Sequence, residues 1–140
     1  MPFDPPKSDA RATTLWELRA AAVLGFLGVA AGAFGAHALR AHVGADALQI
    51  WETGARYHLI HALAMLAVML APGASSPWRR RSARAFGVGV LIFAGTLYAM
   101  TLGAPRWFGA ITPIGGVSLM LGWLCLLAPT ATGPRASTKG

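Results

Sequence analysis

Four apolar runs divide the chain: 20–39, 57–78, 85–105 and 107–134, none of which contains Asp, Glu, Lys or Arg. A bilayer-spanning helix needs about 20 predominantly apolar residues. Pro72, Gly73 and Pro77 shorten the second run and end its helix near Ala71. The pattern predicts spans at 19–37, 57–71, 85–103 and 109–128. Backbone groups in lipid must pair internally, and runs this rich in Ala, Leu and Gly favour helices over barrel strands. The expected fold is all-α, an integral membrane bundle of four transmembrane helices. Its membrane domain covers residues 17–128, between disordered tails at 1–16 and 129–140.

Between the first two runs the pattern is amphipathic. From Val43 to Arg56, Leu48, Trp51 and Ala55 fall at helical spacing, while Asp46, Gln49, Glu52 and Arg56 keep to another face. This reads as a short amphipathic helix in the interface between spans one and two, or as an outward extension of the second span. Trp51, Tyr57, Trp78 and Trp107 sit near the expected membrane edges, where aromatic anchors belong.

Charge adds a direction. Lys7, Arg11 and Arg19 precede the first span, Arg79, Arg80, Arg81 and Arg84 lie between the second and third, and Arg135 and Lys139 follow the fourth. With four spans these nine of the 12 basic residues share one side, leaving Arg40, Arg56 and Arg106 opposite. Both termini are therefore expected in the cytoplasm, with Arg79, Arg80, Arg81 and Arg84 as topology anchors touching anionic headgroups. A specific anionic ligand is the alternative for that cluster.

Composition agrees. Of 140 residues 55% are apolar and only 12% charged, about half the charged share of a soluble globule. The net charge of +7 lies in gaps between apolar runs, so it describes topology rather than a nucleic-acid surface. The single cysteine, Cys125, excludes an intramolecular disulfide and a cysteine-based metal cluster, and reads as packing.

Gly25, Gly28, Gly32 and Gly35 recur at steps of 3, 4 and 3 along one helix face and contain a G-x-x-x-G. Such a face serves close helix packing, and Gly95, Gly115, Gly116 and Gly122 are assigned the same role. Ala36-His37-Ala38 also fits the small-x-small rule of a signal-peptide cleavage site, but a disposable signal needs no glycine face. Ile111-Thr112-Pro113-Ile114-Gly115-Gly116 has the composition of a broken helix. Proline in a first turn costs little, however, and the glycine pair favours packing.

All four histidines fall between residues 37 and 61. On the expected boundaries His37 ends the first span and His58 and His61 begin the second, one turn apart on one face, so that three imidazoles meet at the outer rim. His37, His58 and His61 are thus the candidate metal or haem ligands. The structural alternatives are a helix cap for His37, an interfacial polar residue for His58 and an interhelical hydrogen bond for His61. On the same boundaries no ionisable group lies near a midplane, which counts against a proton-coupled transporter. Gly87-Val88-Gly89 is not the G-x-G-x-x-G of a nucleotide fold, and neither a nucleophile elbow nor H-E-x-x-H occurs.

Several stretches, taken in order, resemble the DUF-423 family of small bacterial membrane proteins. They are Gly32-Ala33-Phe34-Gly35-Ala36-His37 with Leu39, Trp51 with Thr53 and Ala55, and Tyr57-His58-Leu59-Ile60-His61-Ala62-Leu63. Phe93, Gly95, Leu97-Tyr98, Ile111 to Gly116 and Gly122-Trp123 complete the set. Ala38, Arg56 and Ala94 depart from the usual glycine, glutamine and serine; the charge on Arg56 beside His58 disfavours a cationic metal site. The resemblance covers about residues 17 to 128. It implies a four-helix inner-membrane protein and no known activity, and it disfavours signal cleavage.

The reading that follows is a non-enzymatic protein of the bacterial inner membrane, without a cofactor. Its partners are the lipid bilayer and either a second copy or another membrane protein. A metal- or haem-dependent protein using the histidines is the alternative, and a small transporter or channel is the third reading.

Overall fold

The computed structural model describes residues 7–71 and 76–128, with side chains described from residue 15 onward. It is an all-α bundle. Helix α1 (Lys7–His37) leads through a single 3₁₀ turn at Leu39–Ala41 into α2 (Ala45–Leu70). Helix α3 (Pro77–Thr101) follows, then a second 3₁₀ turn at Arg106–Ala110 and α4 (Thr112–Cys125). Four segments are long and apolar enough to cross a membrane: Leu15–Ala41, Ala45–Leu70, Pro77–Thr101 and Arg106–Cys125.

Each helix packs chiefly on its neighbour in sequence: α1 on α2, α2 on α3 and α3 on α4, with only slight contact between α1 and α3. The core joins Ala21 and Leu24 of α1, Ala62, Met65 and Met69 of α2, Ala83, Phe86 and Val90 of α3, and Leu119 of α4. Phe86 is fully enclosed. Small residues let the helices approach it: a Cβ on Gly122 would lie 2.5 Å from the Phe86 ring, and one on Gly89 would strike Leu119. Without a water-driven hydrophobic effect between spans, such close contacts and interhelical hydrogen bonds carry the association. Ser118 donates to the Ala85 carbonyl at 2.9 Å, the Thr96 and Thr112 hydroxyls pair at 2.8 Å, and Thr101 donates to the Ala47 carbonyl at 3.2 Å. Gly103, at φ 101°, supplies the left-handed step that turns the chain out of α3.

Three boundaries differ from those expected. There is no separate amphipathic helix: Val43–Arg56 falls almost wholly within α2, the outward-extension alternative, because Trp51 and Ala55 are buried against the bundle and hold the chain helical. Residues 7–16, assigned to the N-terminal tail, are part of α1; the expected tails at 1–6 and 129–140, and the helix-ending Pro72 and Gly73, lie outside the described residues. The fourth span is not one continuous α-helix, since the 3₁₀ turn at Arg106–Ala110 precedes α4, which starts with Pro113 in its first turn.

The longer α2 changes the depth of the histidines. Counting about 20 residues back from Leu70 reaches Trp51, which puts His58 and His61 on either side of the middle of the span rather than at the outer rim. The expectation of no ionisable group at mid-depth is corrected accordingly.

Candidate functional site

Trp51, His58 and His61 share the buried face of α2 at spacings of seven and three residues. Trp51 stands where α1, α2 and α3 meet. Its indole N–H donates to the Ala31 carbonyl at 2.8 Å, and its ring lies 5.4 Å from Phe34 and 4.3 Å from Tyr98. Gly35 provides the room: a Cβ there would sit 2.6 Å from Trp51 Cδ1. Gly54 does the same for Tyr98, at 3.0 Å from its Cε1.

Tyr98 connects this cluster to His58. Its hydroxyl shares a 3.3 Å hydrogen bond with His58 Nδ1, while His58 Nε2 is buried without a hydrogen-bond partner. Both side chains line a small, otherwise apolar cavity of about 280 Å³ bounded by Leu27, Val90, Ala94 and Gly95.

His61 is satisfied at both ring nitrogens. The Trp123 indole donates to Nε2 at 3.2 Å, which places the imidazole hydrogen on Nδ1, and Nδ1 donates to the Tyr57 carbonyl at 2.8 Å. This bond ties α2 to α4, and Phe86 packs against both rings at 5.5 and 5.1 Å. A double-mutant cycle of His61→Leu and Trp123→Phe is expected to return a coupling of about 0.5–1.5 kcal/mol, measured by unfolding in mixed detergent–SDS micelles.

The three candidate ligands do not converge. His37 is exposed at the end of α1, and it is His42 whose Nδ1 donates to the Ala38 carbonyl at 2.9 Å. Among the described residues no three His, Cys, Asp or Glu side chains form a metal-holding group.

The glycines divide by face. Gly28 and Gly35 point inward, Gly28 against Leu59 and His58. Gly115 sits hardest against a neighbour, where a Cβ would lie 2.8 Å from the Phe93 Cα, and Gly116 is in ordinary contact with the Phe93 ring. At Gly25, Gly32 and Gly95 an added Cβ would meet nothing within 4 Å.

The second polar centre went unread in the sequence. Glu17, on α1, is 3% exposed. Its Oε1 accepts from Arg84 Nε at 2.9 Å, and its Oε2 lies 3.5 Å from Arg80 Nε. Of the four expected anchors, Arg80 and Arg84 thus turn toward Glu17, Arg81 stacks over the Trp78 ring at 4.7 Å, and Arg79 is half-buried beside Trp78 in a shallow cavity. The signal available was indirect: Glu17 is an acidic residue at the start of the first span, on the side where the expected topology also places the arginine cluster.

With this geometry in place, comparison with known proteins is decisive for the family. The sequence profile of a protein of unknown function, DUF423, matches residues 31–116. The chain belongs to this family. A UPF0382 membrane protein of Haemophilus influenzae is 40% identical over 105 residues, covering 75% of this chain and 85% of that protein. The UPF0382 inner membrane protein YgdD of Escherichia coli K12 is 38% identical over 116 residues, 82% of this chain and 88% of its own length. A UPF0382 membrane protein of Staphylococcus saprophyticus is 38% identical over 104 residues, 74% of this chain and 87% of that protein. No solved structure matches the chain significantly. The protein is a small integral membrane protein of the DUF423 family, and the family match spans Trp51, His58, His61, Tyr98 and Gly115.

Proposed function

We propose that this DUF423 member is a non-catalytic membrane component that works by associating side by side with a second copy of itself through α1. The carrying observation is the outward face of that helix. Ala22, Gly25, Val29, Gly32 and Ala36 follow one another at steps of 3, 4, 3 and 4, a heptad seam. Val29 is 61% exposed, and Gly25 and Gly32 have open space above them. A seam of small residues facing away from its own bundle suits the close approach of another helix. Two parallel copies related by a two-fold axis bring equivalent positions together, which makes the surface self-complementary.

The partition of the glycines supports this reading. Gly28 and Gly35 serve the contact with α2, while a Cβ on Gly25 or Gly32 would meet nothing within 4 Å among the described residues. The printed names of relatives support an inner-membrane setting, and the nine basic residues on one side support cytoplasmic termini.

Size-exclusion chromatography with light scattering, in a mild detergent, tests the proposal. The wild-type protein is expected at the mass of a dimer, and the double variant Gly25→Leu, Gly32→Leu at the mass of a monomer with unchanged helicity. A wild-type protein that is monomeric in native-like nanodiscs overturns it.

A further inference from the structure

We propose that the groove between α1 and α3 is a binding site for one anionic phospholipid, with the phosphate at Arg84 and an acyl chain running along the groove toward His58. Helices α1 and α3 touch only slightly, and their ion pair at Glu17 and Arg84 stands at one end of the gap. Alongside this pair lies a cavity of about 620 Å³ with apolar walls that include Val23, Leu27, Val88 and Leu91. Leu27 and Leu91 also border the smaller cavity that ends at His58 and Tyr98. A recess of about 170 Å³, formed by Pro77, Arg80, Arg81 and Arg84, opens at the charged end, and Arg84 belongs to both the recess and the groove. From Arg84 to Gly95 is 11 helical residues, roughly 16 Å, close to the half-thickness of a hydrocarbon core about 30 Å across. The groove therefore has the length of one leaflet.

Charge selects the occupant. Glu17 is one carboxylate facing two guanidinium groups, so the cluster keeps a positive surplus among the described side chains. Arg84 uses Nε on Glu17, and its side chain remains 60% exposed, leaving terminal donors for a phosphodiester. Arg19 borders the same end of the groove. Glu17 acts as a positioning residue, holding Arg84 at the mouth. Its Oε2 is buried and lies 3.5 Å from Arg80 Nε, so the one carboxylate holds both guanidinium groups together. An anionic phosphodiester headgroup, as in phosphatidylglycerol, supplies the charge that this surplus favours.

Native mass spectrometry of the protein in mild detergent, titrated with phosphatidylglycerol or phosphatidylcholine of the same chains, tests the site. One phosphatidylglycerol is expected to remain bound, with phosphatidylcholine at least about fivefold weaker, as one cationic contact near the surface implies. Arg84→Gln is expected to remove that preference. Leu91→Trp, at a residue 65% exposed and outside the core, is expected to block the lipid while leaving the arginines and the fold intact. Arg106→Gln, at the other end of the bundle, is expected to change nothing. Equal binding of the two lipids by the wild-type protein overturns the proposal, as does undiminished phosphatidylglycerol binding in Leu91→Trp.

Discussion

Gly115→Ala is expected to detach α4 from α3, the largest effect of any single methyl group added to this bundle. The new Cβ would lie 2.8 Å from the Phe93 Cα and would strike its backbone nitrogen. A flexible side chain can swing away from such an overlap; a helix backbone cannot, so the two helices must move apart. Overpacking of this kind costs about 1–3 kcal/mol, and the upper end applies because the obstruction is main chain. The separation also strains the contacts on either side of Gly115, the Thr96–Thr112 pair and the bond from Ser118 to Ala85. Cys125, the only cysteine and the last residue of α4, is half-buried and reports the outcome. A thiol-reactive dye is expected to label it faster, and at a lower temperature, in Gly115→Ala than in wild type. Gly116→Ala, where the nearest Phe93 atom is 3.8 Å away, is expected to label as wild type does. Equal labelling of all three proteins would mean that α4 is not seated through Gly115.

Trp51→Ala is expected to lower the stability of the bundle by about 3 kcal/mol. Removing a large buried ring costs about 3–5 kcal/mol in a water-soluble core; the lower end is chosen because transfer out of water contributes less between spans in lipid. Trp51 holds three helices at once. Its indole binds the α1 carbonyl of Ala31, and its ring fills the space over Gly35 and rests on Tyr98 of α3. Trp51→Phe keeps most of the ring but leaves the bond to Ala31 unmade, and is expected to cost about 1 kcal/mol. SDS titration of the purified protein, followed by helicity, separates the two: the midpoint falls strongly for alanine and slightly for phenylalanine. If alanine were no worse than phenylalanine, Trp51 would be an interface anchor and not a keystone of packing.

The four spans were legible because the bilayer makes a coarse demand, long runs free of charge, and the sequence meets it in four places. The start of α2 was harder. Asp46, Glu52 and Arg56 read as interfacial polarity, yet a helix can carry them on an exposed face while Trp51 and Ala55 are buried on the other. That single shift moved His58 and His61 from the rim to mid-depth and took them away from His37. The glycines of α1 look alike in sequence, and their spacing covers an arc wide enough to serve two neighbours. Only the rotation of the helix, fixed by its contacts with α2, tells Gly28 and Gly35 from Gly25 and Gly32. Glu17 was hard to read for a different reason: its partner Arg84 is 67 positions away, and no local pattern records such a pairing.

Because each span rests mainly on the one made before it, the order of synthesis is also a workable order of assembly. An emerging α2 finds α1 already in place with Gly35 ready for Trp51, and α3 then finds Gly54 ready for Tyr98. Contacts between neighbours in sequence close quickly, and chains generally form structure from the N-terminal end as they are made. Like the Glu17–Arg84 pair between α1 and α3, the bond from Trp123 to His61 is an exception, since it joins α4 to α2 across 62 residues. It can form only when α4 has joined the other three helices, and so it marks the completed four-helix bundle.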